Sequence, residues 1–473
     1  MTEEEKPDQI SPSRREFLKT SAVAAASFMI VPRFVLGGKG YRAPSDRLAI
    51  ASVGVGGKGA DDIGHFNRTG KADMVFLCDV DDARAADTVK KNPKAKYYKD
   101  WRELFDKESK NFDAVSVSTP DHTHAIVAYH AMQLGKGVYV QKPLTHDIAE
   151  VRLLMEAAKK YKVVTQMGNQ GSSNDGTRQL AEWYDNDIIG DVHTVYCWTN
   201  RPVWPQGIPW PTTKATVPAT LDWNLWLGTA PSKDFVDNLV PFNWRGWWDY
   251  GTGALGDMGC HLVEAPFRVL DLKFAKDVQA SVGTVYVGEF KQGHFPESCP
   301  PSSHITLTFP KTAKTKGDVT LHWMDGGIQP ERPEELGPNE KFGDDGNGTL
   351  FIGTKGKMMA STYSSNPQLL PTSRTKEVTV PKTIPRVPGQ SEGHYGQWIE
   401  GCLAGYGNTQ LSSSFDVAGP LTEALLMANL AVRSHELKGG HIKMLWDNDN
   451  MKITNFDAAN EFVKRQYREG WTV

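Results

Sequence analysis

The 473-residue chain is poor in cysteine, in excess charge of either sign and in long apolar runs. Its five cysteines, Cys78, Cys197, Cys260, Cys299 and Cys402, are odd in number, widely scattered and never spaced as CxxC. That pattern builds neither a disulfide framework nor a zinc or iron–sulfur centre. The cysteines are expected as small buried apolar residues, and no metal site is assigned. Lys and Arg number 53 against 56 Asp and Glu, a net charge of -3, which supplies no basic face for nucleic acid and no acidic tail. Internal repeats and low-complexity tracts are also missing. The apolar stretch Ala22–Val31 falls short of the about 20 residues that span a bilayer.

What precedes that stretch is specific. Ser13-Arg14-Arg15-Glu16-Phe17-Leu18-Lys19 resembles the twin-arginine export signal at each specified position, and Ala22–Val31 suits its apolar region. Residues 1–38 are therefore read as a signal segment, with cleavage near Gly37–Gly38, and are set aside from fold reasoning. No cysteine follows closely, which argues against a lipid anchor. The expectation is a periplasmic or otherwise exported protein that engages the twin-arginine export machinery. No membrane span is expected in the mature chain.

From Arg47 to about Met167, apolar runs alternate with helical patterns. Residues 48–53, 74–78, 114–118, 137–140 and 163–167 suit buried parallel strands. Residues 124–135 and 147–161 read as helices between them, the second with Val151, Leu154, Met155 and Ala158 on one face. This alternation predicts a doubly wound α/β domain over residues 46–168. After Gly168 the texture changes. A helix near 177–186 precedes strand-like pieces at 192–198, 275–288, 302–310 and 316–324, whose alternation suits an antiparallel sheet with one covered face. Residues 199–250 and 329–348 read as irregular, and 423–436 as a helix. Residues 169–473 form the expected second domain.

The first strand runs into Gly54-Val55-Gly56-Gly57-Lys58-Gly59, a G-x-G-x-x-G loop, and Asp79 ends the next strand 20 residues after Gly59. A glycine loop between a strand and a helix, with a carboxylate at that spacing, is the dinucleotide fingerprint. Gly54 permits the tight turn. Gly56 and Gly57 let backbone approach a pyrophosphate at a helix N-terminus. Asp79 accepts hydrogen bonds from ribose hydroxyls and repels a 2′-phosphate. With no arginine immediately after it, NAD is favoured over NADP.

Two further stretches, 118–125 (STPDHTHA) and 138–150 (VYVQKPLTHDIAE), together with the glycine loop resemble the Gfo/Idh/MocA family of NAD(P)-dependent sugar oxidoreductases. The family's E-K-P stands here as Gln141-Lys142-Pro143. Residues 253–272 carry Asp257 and His261 at the D-x-x-x-H spacing of the family's catalytic pair, which puts both on one helix face. Residues 353–358 and 446–471 are similar to exported bacterial members. The resemblance implies an α/β protein. Its N-terminal Rossmann domain would carry a doubly wound parallel sheet. Its C-terminal α/β domain would be built on a large, open, mainly antiparallel sheet that often forms a homo-oligomer interface. It implies that Thr119, Pro120, His124, Gln141 and Lys142 contact the cofactor. It also implies that Lys142, Asp257 and His261 are catalytic, with His261 as base, Asp257 orienting it or holding a substrate hydroxyl, and Lys142 stabilising alkoxide. His and Lys can exchange these roles.

Eight of the fourteen tryptophans lie between Trp198 and Trp248. Aromatic faces stack on the C–H faces of sugars, so Trp244, Arg245 and Trp248 are candidate substrate contacts, against the alternative of a packing cluster. The expected function is an exported, NAD-dependent oxidoreductase that acts on a hydroxyl of a sugar or glycoside with tightly bound cofactor. An NAD-dependent glycoside hydrolase working by transient oxidation and elimination is the alternative. A non-catalytic sugar-binding protein is a minor one.

Overall fold

Between Leu48 and Met167 six strands alternate with five helices. They are β1 (Leu48–Val53), α1 (Lys58–Arg68), β2 (Ala72–Cys78), α2 (Asp82–Lys91), β3 (Lys96–Tyr98), α3 (Trp101–Glu108), β4 (Ala114–Val117), α4 (Asp121–Gln133), β5 (Gly137–Val140), α5 (Ile148–Tyr161) and β6 (Thr165–Met167). The computed structural model describes residues 46–473, so the twin-arginine segment lies outside the described residues. Every pairing in this sheet is parallel, in the order β3-β2-β1-β4-β5-β6. Strand order reverses between β1 and β4, and a crevice opens beyond their carboxyl ends, where ligands of such sheets bind. β4 and β6 are buried along their whole length, as a sheet covered on both faces requires. Helix α5 is held at its start by a capping box in which Asp147 and Glu150 bond each other's backbone N–H. Its predicted stripe is buried at Val151, Leu154 and Ala158, while Met155 is half-buried.

The rest of the chain adds α6 (Asp175–Asp185), β7 (Val192–Trp198), α7 (Trp223–Leu227), α8 (Gly253–Leu262), α9 (Glu264–Leu270), β8 (Asp277–Val282), β9 (Tyr286–Gly288), β10 (Lys291–Gln292), β11 (Ser303–Phe309) and β12 (Val319–Met324). Then come β13 (Gly348–Gly353), β14 (Gly356–Ala360), β15 (Gln368–Leu370), α10 (Arg374–Glu377), α11 (Gly393–Ala404), α12 (Phe415–Lys438), β16 (Met444–Asp447) and β17 (Lys452–Ile453). Nine of these strands form an open sheet in the order β15-β14-β13-β7-β12-β11-β8-β16-β17. Only β7 and β12 pair in parallel. Alternate residues of β11 are buried, the pattern of a sheet with one covered face. Helix α12 packs on that sheet at β8 and β11. It is long and apolar enough to cross a membrane, but 89% of its apolar window is buried inside the protein, as in a core helix.

Two expectations need correction. The single strand expected over 275–288 ends at Val282, and Tyr286–Gly288 pairs instead with β10 as an exposed ribbon. The helix expected from 423 begins at Phe415 and continues through Pro420, with every residue from Ala418 to Val432 buried. Strands β13 to β17 carry no clear signal in the sequence: they are short, and β13 and β14 contain Gly348, Gly353 and Gly356. The irregular stretch 199–250 does lack long elements. It packs around a cluster of its own that includes Leu221, Trp226, Phe235, Trp244, Trp247 and Tyr250.

Candidate active site

The crevice at the β1–β4 switch opens into a cleft of about 570 Å³, within the range of cofactor and ligand sites. One end is the glycine loop. Gly54 has φ 79°, and a Cβ there would lie 2.7 Å from the Ser118 carbonyl group. Gly59 does not face the cleft: it packs under the loop, where a Cβ would stand 1.8 Å from the Gly54 carbonyl oxygen. Gly56 and Gly57 line the cleft, and Gly57, the N-cap of α1, brings no side-chain oxygen to the helix's first N–H groups. Those N–H groups suit an anion.

Asp79 lines the same end. Its Oδ2 accepts from the Val55 and Gly56 N–H at 2.8 and 3.1 Å, and its Oδ1 from the Asp81 N–H at 3.0 Å. Burial pushes its carboxyl above the ordinary range, against the pull of these bonds. Each carboxylate oxygen keeps a lone pair for a ribose hydroxyl. Arg84, on α2, completes this end. Its guanidinium lies over Gly57, 2.7 Å from where a Cβ would be. No arginine stands directly after Asp79 in the sequence, but this cation five residues on returns to the same end of the cleft. The donor set fits a dinucleotide: the glycine loop and α1 would hold the pyrophosphate, and Asp79 the ribose.

At the other end stand Thr119, Pro120, Gln141 and Lys142. Lys142 Nζ donates to both Oδ1 and the main-chain carbonyl of Asp257, each at 2.7 Å. Arg245 Nε lies 3.7 Å from the same carboxylate oxygen. Burial opposes the charge on Asp257, but the two cations and the Lys142 bond hold its carboxyl below the ordinary range. His261 follows one turn later on α8 and stacks edge-on against Tyr363. Among the described residues no hydrogen bond joins it to Asp257, so the expected Asp-to-His orientation is not what the structure shows. Burial, then the Lys142 charge, pushes the His261 pKa down to about 3. Its buried Nδ1 has no partner.

His124 holds the two loops together and offers nothing to a ligand. Its Nδ1 and Nε2 lie 2.8 Å from the carbonyls of Pro143 and Thr119, respectively, and the residue is buried away from the cleft. Of the candidate substrate contacts, Trp244 and Arg245 line the cleft. Arg245 sits 4.5 Å from the Phe242 ring centroid and 4.3 Å from that of Trp244. Trp248 does not reach the cleft; it faces a small interior cavity beside Arg433 and His146. Most of the other tryptophans in this stretch pack on one another, as in the T-shaped Trp210–Trp247 pair and the stacked Trp223–Trp226 pair. Lys58, Asp121 and Phe242 also line the cleft, and the sequence did not single them out. Asp121 alone carried a signal, directly after Ser118-Thr119-Pro120. Burial pushes its carboxyl above the ordinary range, and it accepts from Thr252 Oγ1 at 2.6 Å.

Comparison with known proteins agrees with this geometry. Residues 48–169 match the Gfo/Idh/MocA oxidoreductase family's NAD-binding Rossmann fold, and residues 191–297 match its C-terminal α/β domain. Over 158 residues the chain is 27% identical to a myo-inositol 2-dehydrogenase of Thermotoga maritima, covering 33% of this chain and 47% of that protein. Over 171 residues it is 26% identical to a glycosyl hydrolase family 109 protein of Shewanella pealeana, covering 31% and 37%. The chain thus spans less than half the length of these curated relatives. The WlbA dehydrogenase from Bordetella pertussis, solved with NADH and UDP-GlcNAcA, shares the fold. Its TM-score is 0.55 at 14% identity, over 85% of this chain and 99% of that one. Both domains are matched in the same order, and the chain belongs to the Gfo/Idh/MocA oxidoreductases.

Proposed function

We propose that this protein oxidises a hydroxyl of a sugar, cyclitol or glycoside with NAD. The observation that carries the reading is the Lys142–Asp257 pair, closed at 2.7 Å, with Lys142 lining the same cleft as the glycine loop and Asp79. NAD, held by the glycine loop and Asp79, would supply the acceptor for the hydride of the carbinol carbon. Lys142 donates to the carbinol oxygen and stabilises the negative charge that develops there. Asp257 holds the ammonium in place. His261, one turn along α8 from Asp257, is the candidate acceptor of the hydroxyl proton: its Nδ1 is unpartnered, but it does not line the cleft, and the burial that keeps it neutral weakens it as a base. Arg245 and Trp244 meet the rest of the sugar.

A redox-neutral glycoside hydrolase is the second reading, favoured by the likeness to a glycosyl hydrolase family 109 protein. One experiment separates the two: incubation with glycosides and polyols without an electron acceptor, after assaying the cofactor released on denaturation. A single turnover that resumes when an acceptor is added supports the dehydrogenase. Multiple turnovers of cleavage without net NADH support the hydrolase. Failure to bind NAD overturns both.

The twin-arginine segment adds a constraint to this proposal. The route it resembles carries folded proteins, and NAD is a cytoplasmic cofactor, so the enzyme would leave with NAD already bound and hold it tightly. Changing Arg14 and Arg15 together to Lys should abolish export, and unchanged export would count against the route. Rapid loss of NAD on dilution would count against tight retention. Assembly into a homo-oligomer through the open sheet belongs to the same proposal and is tested by light scattering.

A further inference from the structure

Beneath the reactive end of the cleft lies a carboxylate that the proposed mechanism does not use. Asp62, on α1, is fully buried. Gln141 Nε2 donates to its two oxygens at 3.0 and 2.8 Å, Ser118 Oγ at 2.8 Å and Tyr395 Oη at 2.9 Å. Lys58 Nζ stands 3.1 Å away as its counter-ion. These partners come from separate segments. Lys58 opens α1 at the glycine loop, one turn before Asp62; Ser118 opens the loop after β4, Gln141 opens the loop after β5, and Tyr395 lies on α11. The Gln141 amide reaches further: its Oε1 accepts from the Lys142 N–H at 3.3 Å. Gly168 leaves room for this side chain, since a Cβ there would lie 2.7 Å from the Gln141 amide.

This arrangement gives a reason for glutamine at 141. Two ionised carboxylates in direct contact in a buried site repel strongly, and one of them must take up a proton. A neutral amide instead donates to Asp62 with its nitrogen and accepts from Lys142 with its oxygen. The negative charge beneath Gln141 then resides on Asp62 alone, where Lys58 balances it.

We propose that Asp62 is a positioning residue for the reactive end of the cleft: by gripping Gln141 and Ser118 together it fixes the backbone that presents Lys142. The proposal rests on the assignment of Lys142 as the reacting cation. Its test is a pair of single variants, Asp62→Asn and Gln141→Glu, together with the double variant. Three quantities are measured on folded protein: NAD affinity, kcat and KM on the best polyol, and the rate of reductive methylation of Lys142 followed by mass spectrometry. Gln141→Glu should weaken NAD binding at least tenfold, lower kcat more than it raises KM, and speed methylation of Lys142 several-fold. Adding Asp62→Asn should bring all three back to within about threefold of the wild type. A purely structural role would lower Tm in each variant without this mutual rescue. Unchanged labelling in both single variants, or a double variant no better than Gln141→Glu, overturns the proposal. Methylation is read without substrate or cofactor. A wild-type protein that oxidises no polyol therefore counts against the proposed function and leaves this test able to decide.

Discussion

Lys142 Nζ sits 2.7 Å from the Asp257 carboxylate and 2.7 Å from the Asp257 carbonyl, so one residue holds the ammonium through two acceptors. Removing either partner breaks the short ion pair at the reactive end of the cleft. Lys142→Ala should lower kcat/KM by roughly 10²–10⁴, the usual worth of a positioned acid–base group. Asp257→Asn keeps the shape and loses the charge, so it should depress kcat more than it raises KM. Steady-state kinetics of both variants check this.

The buried histidines should make the protein lose stability as pH falls below about 6.5. Burial is the leading reason that His122 and His261 are pushed down to about 3, and His394 to about 4, from an ordinary 6.5. His394 is satisfied as the neutral tautomer: Nε2–H donates to the Met167 carbonyl at 2.8 Å, and Nδ1 accepts from Ser173 Oγ at 2.7 Å. Below 6.5 the unfolded chain binds protons that the folded chain refuses. The stability these three histidines contribute is therefore complete above that pH and is lost as pH drops toward 4 and 3. Each such histidine contributes a slope of up to about 1.4 kcal/mol per pH unit. Urea unfolding across this range should show the loss, and His394→Gln should flatten it by about one proton's worth.

Glycine substitutions should separate backbone strain from clash. Gly135 has φ 72° with nothing within 4 Å of where a Cβ would stand, so Gly135→Ala should cost only about 1–2 kcal/mol. Gly54→Ala adds a 2.7 Å approach to Ser118 at φ 79°, and Gly59→Ala a 1.8 Å approach to the Gly54 carbonyl. Both should cost more stability than Gly135→Ala and should weaken NAD binding at least tenfold. Thermal melts and calorimetric titration with NAD measure both effects.

Arg245 and Trp248 should behave differently, although they lie close together in the chain. Arg245→Ala opens the cleft wall and should raise KM for the sugar, with little change in Tm. Trp248→Phe lies against an interior cavity and should lower Tm, with KM unchanged. A KM effect at Trp248 equal to that at Arg245 would contradict this placement.

The parts of the site legible in the sequence are those built by contiguous residues. The glycine loop, Asp79, Ser118-Thr119-Pro120, Gln141-Lys142-Pro143 and the Asp257/His261 spacing each sit within one turn or at the end of one strand. There local backbone geometry dictates the residue type. Strand–helix alternation likewise revealed the parallel sheet, because buried parallel strands are continuous apolar runs. Strands β13 to β17 were invisible because they are short, and β13 and β14 carry glycines where a strand signal needs branched or aromatic residues.

What only the tertiary structure decided is which of these groups meet. It brought Lys142 onto Asp257, 115 positions away, and placed Asp62 beneath Gln141 and Tyr395. It turned His124 onto two carbonyls, and it sent Arg245 to the cleft and Trp248 to the interior. The sequence by itself determined the nucleotide loop and the order of the two domains, since turn chemistry and hydrophobic period act over a few residues. Contact, burial and therefore protonation are set by packing between segments far apart in the chain, and no local pattern carries that information.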